Sequence, residues 1–195
     1  RSLWEEYCEW EDSKKIVDHF DIKVRNQYGN KETYKACSAY GLTAIFNWYQ
    51  SVEYDKNWME FEQEDPRWKW LAFQNERWYQ DRWASLQEMM TFFKNRWLID
   101  WYVKCKNADE AKNAIRNWFL LYTWSSKCSW SKTSKAKEFV YDENWANHCF
   151  AIVDYDETWF VAINSFGENR WNHWYFHIDF DKFNYLFTTY AIIDH

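Results

Sequence analysis

The chain has 195 residues, a formal net charge of −6 and a pI near 5.4, which allows one domain with a full core or two half-sized lobes sharing an interface. The acidic balance argues against a phosphate-tracking surface, so DNA and RNA are not expected partners. No run approaches the roughly 18 consecutive apolar residues of a membrane helix, and the opening RSLWEEYCEW lacks the basic-then-apolar layout of a secretory signal, so a soluble chain is expected. It begins at Arg1 rather than Met, which leaves a leader, pro-segment or upstream domain open, and the compartment with it.

No internal repeat or low-complexity tract is visible, and Pro66 is the one proline, so no linker divides the chain. From about Cys37 to Trp118 the signals are helical. Cys37 to Tyr49 carries Leu42, Ile45 and Phe46 with Tyr40, Ala44 and Tyr49 around a largely buried helix. In SLQEMMTFFKNR, Leu86, Met89, Met90 and Phe93 recur at helical spacing, with Ser85 as the cap and Trp97 at the stop. A third short helix fits Ala108 to Asn117. From Phe119 onward the apolar spacing moves toward two: FLLYT, HCFAIVDYD, WFVAINS, WYFHIDF and TTYAIID read as successive strands between polar turns. A helical first half and an antiparallel second half predict an α+β protein with two lobes, and the cleft between them is a natural ligand site.

Seventeen tryptophans and three glycines form an odd pair of counts, because ordinary usage of about 7% would supply roughly 14 glycines in this length. Many tryptophans follow a polar residue where a turn or helix stop is expected: Trp58, Trp68, Trp78, Trp83, Trp97, Trp118 and Trp145. Polar residue followed by glycine is the usual punctuation there. One reading is a gene in which UGA specifies glycine, written as tryptophan under another code table. The other is a Trp-rich protein that uses its indoles for packing or for stacking on carbohydrate.

Five cysteines, Cys8, Cys37, Cys105, Cys128 and Cys149, lack the paired spacing of a zinc or redox site, and neither a metal nor an organic cofactor is expected. Their odd number leaves at least one thiol outside any intramolecular disulfide set. Cys37 opens the first helix, where backbone N–H groups and the positive dipole end lower a thiol's pKa; taken alone, it reads more simply as a small buried thiol. His148 opens a strand and Asn164 closes the next, so antiparallel pairing can bring them within hydrogen-bonding reach. A nucleophilic thiol needs an imidazole for the ion pair, and the imidazole needs an acceptor that fixes its tautomer. Cys149 follows the histidine and, by strand alternation, is expected to face the opposite side, in the core. His173 and His177 lie four apart, but in a turn and strand where that spacing makes no chelating face. His19 and His195 have no evident partner. Asp154, Asp156 and Glu157 read as a solvated turn, with little support for a glycosidase pair.

The segments VRNQYGN, Cys37-Ser38-Ala39-Tyr40, His148 and Asn164-Ser165-Phe166-Gly167 together resemble the papain-like cysteine peptidases. That family places a Gln shortly before C-W-A-F at a helix start, then a strand-opening His, then N-S-W-G. The resemblance covers nearly the whole chain, and Trp171 and Trp174 occupy positions where the family has glycine. It implies one catalytic domain over 1–195, mainly helical over about 17–118 and mainly β over about 119–195. It further implies Cys37 as nucleophile, His148 as general base, Asn164 as its orienting partner, and Gln27 in the oxyanion hole with the Cys37 backbone N–H. Phe166 would shield the Asn–His bond, and Asn147 matches a position often held by Asp or Asn. The ten positions from Gln27 to Cys37 exceed the family's usual six, so residues near Lys31 to Tyr34 have to bulge away; otherwise Gln27 is an exposed loop amide.

The expected activity is hydrolysis of peptide bonds through a thioester, with a peptide or protein substrate and a monomeric enzyme. Two rivals stand beside it: another thiol acyl-transfer enzyme, amidase or transglutaminase-like, and a catalytically inactive relative used for binding.

Overall fold

The computed structural model describes residues 25–56, 62–144, 147–165 and 175–194. Phe166, Gly167, Trp171, His173 and Trp174, together with Cys8, His19, Trp58, Trp145 and His195, lie outside the described residues. The architecture is α+β, as the change in apolar spacing predicts. Helix α1 (Cys37–Lys56) is followed by α2 (Pro66–Glu76), α3 (Leu86–Lys94), β1 (Trp101–Cys105) and α4 (Ala108–Arg116). Then come β2 (Leu121–Ser125), α5 (Trp130–Ala136), β3 (His148–Tyr155), β4 (Trp159–Ile163), β5 (Tyr175–Asp179), α6 (Phe180–Leu186) and β6 (Phe187–Ile193). The strands form one six-stranded sheet in the order β1-β6-β2-β3-β4-β5, antiparallel at every pairing.

Local chemistry explains the helix starts. The Ser85 hydroxyl accepts from the Glu88 N–H while the Glu88 carboxylate accepts from the Ser85 N–H, a reciprocal capping box. Asp65 caps α2 ahead of Pro66, whose fixed φ suits the first helical position, and Asn107 caps α4. The pairing of Asp65 with Pro66 is the signal that could have revealed α2, a helix absent from the sequence-based reading. The helix ends are less ordinary. After α2, α3 and α4 the chain turns through Trp78, Trp97 and Trp118 at φ of 59°, 59° and 67°. At each, the next residue closes a bond five positions back: Tyr79 to Gln74, Leu98 to Phe93 and Phe119 to Ala114. This is the Schellman stop, whose left-handed residue is usually glycine.

Two features depart from the division into a helical and a sheet-forming half. Strand β1 lies inside the helical half and pairs with β6 at the sheet edge; Trp101 and Val103 are exposed, so the cross-chain ladder makes it a strand, not burial. Helices α5 and α6 interrupt the sheet-forming half. Helix α1 is buried on nearly every side of its first thirteen residues, Cys37 to Tyr49, as expected for a helix that is apolar all round. It crosses β3 where Gly41 stands: a Cβ there would lie 3.3 Å from the Phe150 Cα and backbone carbonyl carbon. Glycine allows the helix to approach this closely, and that approach sets the site.

Candidate active site

Three segments converge at the start of β3. Cys37 is the first residue of α1, His148 the first of β3, and Asn164 directly follows β4. The β3–β4 pairing of Ala151 with Ile163 brings Asn164 to the His148 end of the sheet. His148 Nε2 and Asn164 Oδ1 are 2.8 Å apart, and the Ser165 backbone N–H donates to the same oxygen at 2.9 Å. A carboxamide oxygen only accepts, so Nε2 carries the proton and donates it, leaving Nδ1 for the thiol.

Cys37 and Cys149 border one cleft, and the Cys149 thiol and the His148 ring both act on the Cys37 sulfur. These hold its pKa well below the ordinary thiol range: the bond from Cys149 is the largest cause, burial opposes it, and the His148 bond and charge add to the lowering. The Cys149 thiol moves well above its ordinary range, because it donates to Cys37 and because it is buried. Cys149 is buried in the core as expected, but it also borders the cleft beside Cys37, so the expectation that it faces away from the site is corrected. Strand alternation itself holds: the His148 ring lies against Phe150 and Trp130, whereas Cys149 lines the same small cavity as Gly41 and Ala151 on the α1 face. The helix N-terminus overhangs the beginning of β3, so side chains of both faces reach it. Which face of a sheet a helix covers is a tertiary fact that a strand pattern does not contain.

Gln27 is fully buried, not an exposed loop amide. Two successive 3-10 turns, Gln27–Gly29 and Lys31–Thr33, take up the extra residues before Cys37. The Gln27 N–H donates to the Ser165 carbonyl at 2.9 Å, its Oε1 accepts from the Ser165 hydroxyl, and its Nε2 donates to the Tyr34 carbonyl at 3.1 Å. The carboxamide is thereby fastened to the segment that carries Asn164. Asn147 is exposed and lines the cleft. Phe166 lies outside the described residues. An indole that the sequence reading missed, Trp130, stands edge-on to the His148 ring with centroids 4.4 Å apart.

The cleft beside Cys37 holds about 460 Å³. One wall is the loop and first turn from Arg82 to Glu88; the other is Cys149, Trp124 and Thr188, with Tyr190. Cross-strand register produces that second wall, since Trp124 pairs with Cys149 on one side and with Thr188 on the other. Cys37 is only 2% exposed, yet its side chain borders this space.

Helix α1 laid on an antiparallel sheet, with thiol, imidazole and carboxamide meeting at its N-terminus, defines a papain-like fold. Comparison with solved structures gives the same answer: the chain is similar to xylellain, a cysteine protease from Xylella fastidiosa, with TM-score 0.66, 13% identity, and 95% of this chain and 91% of that one covered. SERA5E from Plasmodium falciparum is also similar, at TM-score 0.49 and 14% identity over 93% of this chain and 92% of that one. No protein-family model matches the sequence, and no curated protein does.

Proposed function

We propose that the chain is a cysteine-type endopeptidase, a single catalytic domain acting on peptide or protein substrates. The observation that carries the reading is the His148–Asn164 bond, with the Nε2-protonated tautomer set by Asn164 Oδ1 and that oxygen held in place by the Ser165 N–H. In this mechanism the Cys37 thiolate attacks the scissile carbonyl. His148 protonates the departing amine to leave a thioester, and the neutral imidazole then activates the water that hydrolyses it. Gln27 and the Cys37 backbone N–H stabilise the oxyanion, Asn164 orients the imidazole, Trp130 and Phe166 shield it, and Asn147 borders the substrate cleft. A peptidyl epoxide should label Cys37 at neutral pH, and fluorogenic peptides should be cleaved. Cys37→Ala should abolish both, and Gln27→Ala should lower kcat by about 10²–10³-fold. Labelling without cleavage of any peptide would turn the reading toward another thiol acyl transferase; no adduct at all would turn it toward the inactive binding protein.

We also propose that tryptophans at the helix stops stand where UGA specifies glycine. Three of them occupy the left-handed position of a Schellman stop, and Trp83 lies on the cleft wall, where an indole narrows the approach of a substrate backbone. Coding DNA with UGG at these positions refutes the reading.

A further inference from the structure

Cys149 has no task in peptide hydrolysis, yet it borders the cleft beside the nucleophile. Among the described cysteines, Cys37, Cys105, Cys128 and Cys149 are free thiols, and of these Cys37 and Cys149 line the cleft. Helix α1 and β3 are pressed together next to them, where a Cβ on Gly41 would lie 3.3 Å from the Phe150 backbone. A thiol that borders the same cleft beside a nucleophilic sulfur is placed as a resolving cysteine.

We propose that Cys37 and Cys149 form a reversible intramolecular disulfide that switches the site off under peroxide and protects the nucleophile from irreversible oxidation. Cys37 gives its proton to His148 and the thiolate attacks one oxygen of hydrogen peroxide; the O–O bond breaks, the departing hydroxide takes that proton and leaves as water, and Cys37 becomes a sulfenic acid. The Cys149 sulfur then attacks the Cys37 sulfur, the S–O bond breaks, and water departs with the Cys149 proton. Two thiols and one peroxide give one disulfide and two waters. The Cys37 sulfur is now bonded, so no thiolate remains for acyl transfer. A dithiol reductant attacks the disulfide and returns both cysteines to thiols.

That oxidation silences catalysis rests on the proposed function; that the bond forms does not. The full reduced chain is treated with a small excess of hydrogen peroxide, blocked with iodoacetamide and mapped by mass spectrometry without reduction. The expected result is a Cys37–Cys149 cross-link, cleaved by dithiothreitol with return of the untreated peptidase rate. In Cys149→Ala, Cys37 should be found as sulfinic acid, with dithiothreitol failing to restore that variant's own untreated rate. Wild-type Cys37 recovered as sulfinic acid, or paired with any other thiol, overturns the switch even if the variant does not fold. A cross-link in a chain that cleaves no peptide upholds the dithiol chemistry and removes the peptidase; peptide cleavage without a cross-link does the reverse.

Discussion

At the scale of single residues, environment lowers the pKa of one of the four described thiols and raises that of the other three. Burial pushes Cys105 up to about 11 and Cys128 up to about 12, and Cys149 rises as donor to Cys37, while Cys37 alone is lowered. An ordinary thiol with pKa about 8.5 is less than about 1% thiolate at pH 6 and slows about tenfold per pH unit below its pKa. A thiol of depressed pKa keeps its anion as pH falls until the lowered value is reached. Iodoacetamide should therefore modify Cys37 at pH 6 within a few-fold of its rate at pH 8, with Cys105 and Cys128 untouched; a tenfold decline per unit at Cys37 would remove the ion pair. The candidate site residues Cys37, His148 and Asn164 could be picked out because each stands at the end of an element, where a residue type and a helix or strand boundary can be read together. Gln27 was legible only through the family pattern. Cys149 and Trp130 were not, since their contacts depend on how α1 and α5 lie on the sheet.

At the scale of elements, the helix stops are the sharpest case. The spacing of apolar residues placed α3 and α4 and every strand from β2 to β6, and the polar-then-Trp pairs marked the stops. Strand β1 escaped because its pairing partner, β6, lies at the far end of the chain. A left-handed residue bearing a Cβ costs about 1–2 kcal/mol relative to glycine, partly offset by the larger entropy that glycine loses on folding. Trp97 is 90% exposed, so little packing is lost with its ring. Trp97→Gly should therefore stabilise the fold by about 1 kcal/mol, raising Tm by about 2–4 °C. Trp97→Ala keeps the Cβ and the strain, and should bring no such gain. Equal melting temperatures for the two variants would show that the backbone at this stop is not what limits it.

At the scale of the whole molecule, the chain closes on itself so that helical and sheet-forming parts cannot separate. Strand β1 needs β6 as its partner, and the far end of α1 is fastened to the sheet by one hydroxyl. The Tyr49 OH donates to the Ile192 carbonyl at 2.6 Å and accepts from the Leu120 N–H at 3.2 Å. Burial holds its ionisation far above the usual range, so it remains a neutral donor at any working pH. Trp118 stacks on Trp48 beside it, centroids 6.3 Å apart, and joins the end of α4 to the same knot. Tyr49→Phe keeps the ring but leaves the Ile192 carbonyl and the Leu120 N–H without the hydroxyl, an expected loss of about 1–3 kcal/mol. If the chain is one cooperative unit, that loss belongs to all of it. Far-UV circular dichroism, which follows the helices, and near-UV signals from the aromatic core should trace one denaturant transition. In Tyr49→Phe both should move to the same lower midpoint at unchanged slope. A near-UV midpoint that falls while the far-UV midpoint stays would mean that the two lobes fold apart, and a cleft built from both would then not be held in place by either.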